Sequence, residues 1–175
     1  MTDLFKSIRH VDEVTFYWLF RFTRWWRDSS LALWVSRSGD GPYYVLVLAI
    51  IVTLAVEGSV TFMQRTLIGF AIELPLFWWL KNTLRRARPA MDRISFRPAI
   101  KPADRFSFPS GHATAAFLFA GLAAASFPAW ALLYYMWAGL VALARVSLGV
   151  HFPSDIIAGA VLGSGIAYFV LQMPI

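Results

Sequence analysis

Apolar residues fall in long unbroken runs along this chain, not in the short alternations of a half-buried strand or the narrow stripe of a surface helix. Five runs read as membrane-spanning helices, at about 42–56, 60–80, 111–127, 129–143 and 153–173. Glu57-Gly58 closes the first and Pro128 turns the chain between the third and fourth. The second carries Arg65, Glu73 and Pro75; the proline predicts a kink near mid-membrane, and the carboxyl predicts a hydrogen-bonded group inside the bundle. Small residues at four-residue spacing, Ala116, Ala120 and Ala124 in one run and Gly159 and Gly163 in another, predict close helix contacts.

The start of the chain follows another pattern. Residues 10–27 mix rings (Phe16, Tyr17, Trp18, Phe20, Phe22, Trp25, Trp26) with Arg21, Arg24 and Arg27 at three-residue intervals. Cations on one face and rings on the rest suit a helix lying in the membrane interface, whereas three central arginines would each cost about 2.5–3.5 kcal/mol in a span. A second short amphipathic segment, about 30–36, leads into the turn cluster Ser38-Gly39-Asp40-Gly41-Pro42. The expected organisation is an interfacial segment, 1–40, and a membrane-embedded core, 41–175. Residues 1–12 hold Asp3, Lys6, Arg9 and Asp12 without the apolar core of a signal peptide. The fold class is therefore all-α, an integral membrane helical bundle of about five spans plus interfacial helices.

Composition agrees. Of 175 residues 58% are hydrophobic and 15% charged, against about a quarter charged in soluble domains. There is room for one domain. The chain has no cysteine, which excludes disulfides and thiolate metal sites, and its 3 histidines are too few for a histidine-built metal cluster. Against 10 acidic residues stand 16 Lys+Arg, a formal charge of +6, which in a membrane protein points to anionic lipid head groups or an anionic substrate and not to nucleic acid.

Following the hairpins places the ends bearing Lys81, His112, Arg145 and His151 at one membrane face. Residues 81–107 form a polar connection with 8 Lys/Arg. Lys81 and Arg88 are seven apart and would share a helical side if the second span continued; Arg85 and Arg86 read as cations meeting lipid head groups. Phe108-Pro109-Ser110-Gly111-His112 opens the third span with the residue types of a helix start, whose free N–H groups suit an anion. His112 stands on its first turn. Arg145 precedes His151 by five intervening residues, and Asp155 follows it by four positions. A carboxylate there can take one ring N–H, fixing the tautomer and leaving the other nitrogen to attack a phosphorus. His112 would be the general acid for the leaving oxygen and afterwards the base for water.

Lys81-x6-Arg88-Pro89, Pro109-Ser110-Gly111-His112 and Arg145-x5-His151-x3-Asp155 resemble the three signature motifs of the type 2 phosphatidic acid phosphatases, over about residues 40–170. These integral membrane lipid phosphate phosphatases share a helical core with vanadium haloperoxidases. The resemblance implies a metal-independent enzyme without cofactors. His151 would be the phosphohistidine nucleophile, His112 the acid, Asp155 the orienting carboxylate, and Lys81, Arg88, Ser110, Gly111 and Arg145 the phosphate ligands. It implies a lipid phosphate or diphosphate substrate (undecaprenyl diphosphate, phosphatidylglycerophosphate or phosphatidic acid), membrane lipids as partners, and a place in the bacterial inner membrane.

Two departures stand out. The third motif usually begins Ser-Arg, and here Ala144 occupies the Ser position, removing a hydroxyl expected to bond the phosphate; Ser147, three residues on, is not expected to replace it. Many bacterial members also have a sixth span. In most of them the site faces the periplasm or exterior, whereas the Lys+Arg count, with only Arg65 toward the opposite face, points to the cytoplasm. The same residues would serve a lipid phosphotransferase, and Ala144 is the one support for a catalytically dead lipid-binding scaffold. A haloperoxidase does not fit so apolar a chain, and no pair of broken helices in related halves suggests a transporter.

Overall fold

The computed structural model describes residues 2–89, 98–102 and 104–175, with side chains from residue 9 onward; a third of the polar connection expected at 81–107, residues 90–97 and 103, lies outside them. The described chain forms α1 (Thr2–Phe22), α2 (Arg24–Asp28), α3 (Leu31–Arg37), α4 (Gly41–Thr53), α5 (Ser59–Leu84), α6 (Gly111–Ser126), α7 (Ala131–Ser147, after a 3-10 turn at Pro128–Trp130) and α8 (Pro153–Leu171). Among the described residues, α5, α8 and the segment Pro128–Ser147 are long and apolar enough to cross a membrane; α4 and α6 are apolar but shorter, 13 and 16 residues. α5 runs through Pro75 as one helix of 26 residues.

Local chemistry sets the helix ends. Pro42 sits in the first turn of α4, behind an extended Asp40. Gly58 takes φ +76 just before α5, a conformation that a side chain would strain. Asp155, third in α8, accepts the N–H of Phe152 at 2.8 Å, so the acid closes the helix start.

α6 is the centre, in contact with α5, α7 and α8. Towards α7 it presents Ala116 and Ala120, buried with Ala138 and Val141. Against α8 the approach is closer: a Cβ on Gly163 would lie 2.1 Å from the Thr114 carbonyl oxygen, and one on Gly159 would lie 2.6 Å from that of Ser110. The expected small-residue contacts are thus present, with α8 contributing the glycines. Tyr44 and Leu48 of α4, Phe62 of α5, Leu118 and Leu122 of α6 and Val170 of α8 form the largest core cluster. The outer faces are apolar as well, with Leu132 73% and Val161 69% exposed, as lipid-facing surfaces require.

The arginine stripe expected along one helix is broken at Thr23, where α1 ends. Arg27 folds back, its guanidinium 3.8 Å from the Phe20 ring centre and bonded to the Phe20 carbonyl at 2.9 Å. α1 packs through Phe16 on Val146 and Phe152, beside the start of α8, and leaves Val11, Val14, Trp18 and Phe22 exposed. The starts of α4, α6 and α8 and the ends of α5 and α7 all meet at one end of the bundle.

Candidate active site

Lys81 in the last turn of α5 is buried, its Nζ 2.7 Å from Asp104 Oδ2. The helix does not carry on to Arg88 as expected. It stops at Leu84 because Arg85 takes φ +47 and bonds back to the Asn82 carbonyl at 2.7 Å. Arg88 reaches the site from the extended segment that follows. Its guanidinium donates to the Asp104 carbonyl (3.0 Å), the Asp104 carboxylate (2.8 Å) and the Val150 carbonyl (2.6 Å). Two buried cations thus converge on one carboxylate, with the fork of Arg88 presented to a planar oxyanion. Burial alone would raise the Asp104 carboxyl, but the bonds from Lys81 and Arg88 outweigh it and hold the group below its ordinary range.

His151 lies in the loop between α7 and α8 and is 2% exposed. Its Nε2 is 3.3 Å from Arg88 Nη1, and its Nδ1 is 3.6 Å from Asp155 Oδ2. Guanidinium nitrogens only donate, so the nitrogen facing Arg88 is the one with the lone pair, and the ring proton falls on Nδ1, toward Asp155. The imidazole and the carboxylate face each other at a separation longer than a hydrogen bond, so the expected bond from the ring N–H to Asp155 is not made here, and Asp155 Oδ2 accepts the Phe152 N–H. Burial, then the cations Arg145, Arg88 and Lys81, push His151 well below its ordinary value, which favours the neutral ring that a nucleophile needs.

Arg86 is not the lipid-facing cation that its position suggested. Its Nη1 bonds Asp155 Oδ1 at 2.9 Å and Ser154 Oγ at 2.6 Å, while Nη2 pairs with Asp12 of α1. Asp12 also accepts the Ser154 N–H at 3.0 Å. Asp155, fully buried, is held from behind by an arginine that an acid of the amphipathic helix holds in turn.

On the other side, His112 Nε2 lies 2.7 Å from Asp40 Oδ1, at the start of α4. The second histidine therefore has its own carboxylate partner. Ser110 is buried at the head of α6; its N–H bonds the Asp155 carbonyl at 3.0 Å, and its hydroxyl faces the Ala113 N–H at 3.5 Å, tying α6 to α8. Gly111 lies against Phe77, whose ring would be 3.0 Å from an added Cβ. Arg145 is buried and donates to Ser36 Oγ of α3 at 2.7 Å. Ala144 packs with Trp26, Ala32 and Leu148, so a hydroxyl there would enter an apolar cluster, while Ser147 Oγ is buried with no hydrogen-bond partner among the described residues.

The structure thus brings Lys81, Arg88, His151 and Asp155 into one contact network, with Ser110 joined to it and Arg145 and His112 close enough to act on His151 by charge. Asp12, Asp40, Arg86 and Asp104 are not among the site residues expected from the sequence. Only Asp40 carried a local signal, an acid beside the first turn of a span in a Gly-Asp-Gly cluster.

The chain is similar to a lipid A 1-phosphatase of Rhizobium etli, 38% identical over 88 residues, covering 48% of this chain and 38% of that one. A probable lipid phosphate phosphatase beta of Arabidopsis thaliana is 32% identical over 140 residues, covering 64% and 65%. The chain therefore spans less than two thirds of the length of either relative. Among solved structures, the transmembrane PAP2 type phosphatidylglycerolphosphate phosphatase from Bacillus subtilis superposes with a TM-score of 0.74 at 22% identity, covering 94% of this chain and 85% of that one. The PAP2 superfamily model matches residues 47–174, and with the helical core and clustered motif residues now in place, the chain belongs to the PAP2 superfamily.

Proposed function

We propose that this protein is a multi-pass membrane lipid phosphatase that hydrolyses a phosphomonoester or diphosphate head group through a phosphohistidine at His151. One observation carries the reading: the lone-pair nitrogen of a buried His151 faces Arg88, which together with Lys81 already grips an oxyanion, while Asp155 stands behind the ring.

In the first step Lys81, Arg88 and Arg145 hold the phosphoryl oxygens in place of the Asp104 carboxylate, assisted by Ser110 and Gly111 at the head of α6. His151 Nε2 attacks phosphorus, a P–N bond forms, the P–O bond to the lipid breaks, and His112 gives its proton to the leaving oxygen. In the second, water attacks phosphorus, His112 takes the water proton, and the P–N bond breaks to release phosphate and neutral His151. The protein's own cations neutralise the developing charge, so this route needs no metal. Residues 1–40 lie along the head-group region over the core, and the substrate enters from the lipid bilayer of a bacterial inner membrane.

Undecaprenyl diphosphate, phosphatidylglycerophosphate and phosphatidic acid are the substrates to compare, and relatives named for lipid A, undecaprenyl diphosphate and phosphatidylglycerolphosphate support that range. The test is phosphate release by detergent-purified protein in excess chelator, beside His151→Ala. Release that persists with chelator and disappears in the variant supports the reading. Loss of release in chelator would refute the metal-free route, and a phosphorylated acceptor lipid without free phosphate would reassign the protein as a transferase.

A further inference from the structure

Beneath His112 a cavity of about 460 Å³ opens between α4, α5 and α6. Its walls are mostly apolar, and Leu48, Leu67 and Phe70 are among the side chains that line it. From Asp40 to Leu48 along α4 is eight residues, so the slot descends about 12 Å of helix rise from the level of His112 into the membrane. That is the shape of a place for the upper part of a lipid tail.

Two polar side chains interrupt the apolar wall. Glu73 of α5 and Tyr44 of α4 both line the cavity and are 3% and 4% exposed. The Tyr44 hydroxyl is buried and has no hydrogen-bond partner among the described residues. Glu73, expected to be hydrogen-bonded inside the bundle, instead lines the cavity, and among the described residues no hydrogen bond or ion pair reaches its carboxyl group. Tyr44 lies four residues below Asp40 and Glu73 four residues below Phe77. Both therefore sit about one helical turn, roughly 5–6 Å, beneath the level where His112 meets the head group. Polar groups left unpaired in an apolar wall are costly, and a hydrocarbon passing them would leave them so.

We infer that this cavity selects lipids whose acyl linkage lies a few bonds below the phosphate, with Tyr44 and Glu73 bonding the ester or amide groups of that linkage. The inference rests on the lipid phosphatase reading above. The Tyr44 hydroxyl donates to a carbonyl. The Glu73 carboxyl pairs with either kind of partner, donating to a carbonyl when protonated and accepting from a hydroxyl or amide N–H when ionised. A polyprenyl phosphate is hydrocarbon from its first carbon and offers neither group anything, so it is the disfavoured class.

The experiment compares phosphatidic acid with a polyprenyl monophosphate, in wild-type protein and in Tyr44→Phe and Glu73→Met. Both substitutions keep the length of the side chain and remove its hydrogen-bonding group. The expected result is that wild type prefers phosphatidic acid, and that each variant raises KM for it roughly three- to tenfold, the worth of one hydrogen bond. The kcat should hold, and the polyprenyl substrate should be unaffected. An equal loss on both lipids would show that the two groups only support the fold, and no change on either would show that they touch no ligand; both results overturn the inference. Binding of the same two lipids to His151→Ala protein separates the inference from the reaction. If wild type turns over neither lipid, the phosphatase reading fails, and the subsite stands or falls on whether His151→Ala protein retains phosphatidic acid better and loses that preference with Tyr44→Phe.

Discussion

Asp12 of the amphipathic first helix and Arg86, two residues beyond the end of α5, form an ion pair that stands directly behind Asp155. Asp155 faces His151 with one oxygen and Arg86 with the other. A chain of contacts thus runs from the amphipathic first helix to the carboxylate that faces the proposed nucleophile.

Arg86→Ala is expected to lower kcat roughly ten- to hundredfold, the scale set by misplacing a reacting group by about 1 Å. KM should change little, because Arg86 bonds Asp155 and Asp12 and not the proposed phosphate clamp. Arg86→Lys should restore little, since one ammonium cannot reproduce a fork reaching Asp155, Ser154 and Asp12 together. Steady-state kinetics on a lipid phosphate decide it: a rise in KM at constant kcat would place Arg86 on the substrate.

Asp40→Ala tests the partner of His112. A general acid matters most when the leaving oxygen is strongly basic. The variant should therefore lose about tenfold in kcat on an alkyl lipid phosphate and little on p-nitrophenyl phosphate, whose leaving group departs without a proton. Equal losses on both would mean that Asp40 shapes the site without acting through His112.

How far the sequence disclosed this arrangement depends on the kind of contact. Long apolar runs and turn residues locate the five helices of the core to within a few residues, because burial in lipid and helix capping are local demands. Motif spacing places Lys81, Arg88, His112, Arg145, His151 and Asp155 at one end, because consecutive spans alternate direction. Asp12, Asp40 and Arg86 escape this reasoning. Each gains its part from a partner 69 or more positions away, Asp12 at Ser154, Arg86 at Asp155 and Asp40 at His112. Arg88 shows the opposite: the helical-face argument fails at Leu84, yet the residue arrives through an extended segment that periodicity cannot describe.

His151 gives a prediction about pH. Burial and three nearby cations depress its affinity for a proton, so in the substrate-free protein the ring stays neutral as pH falls through 6.5, the ordinary value, and protonates only well below it. In histidine-labelled protein, with His151 assigned by loss of its signal in His151→Gln, NMR titration should show no inflection near pH 6.5. An inflection at or above that value would mean that water or a carboxylate offsets the cations.

The contact between α6 and α8 supplies a packing prediction with its own control. An added Cβ at Gly163 would lie 2.1 Å from the Thr114 oxygen and 2.8 Å from the Leu118 nitrogen, both backbone atoms that cannot rotate away. Gly163→Ala must therefore part the two helices, at a cost of about 1–3 kcal/mol. At Gly165, on the same helix, none of the described residues lies within 4 Å of an added Cβ, and alanine should be neutral or stabilising by up to about 1 kcal/mol through its helix propensity. Thermal unfolding in detergent should thus lower Tm for the first variant and hold or raise it for the second. Activity should fall with the first as well, because the same helix pair carries His112 and Asp155, and the Ser110 N–H to Asp155 carbonyl bond of 3.0 Å spans the gap that would open. An unchanged Tm for Gly163→Ala would show that the helices pack further apart than these contacts place them.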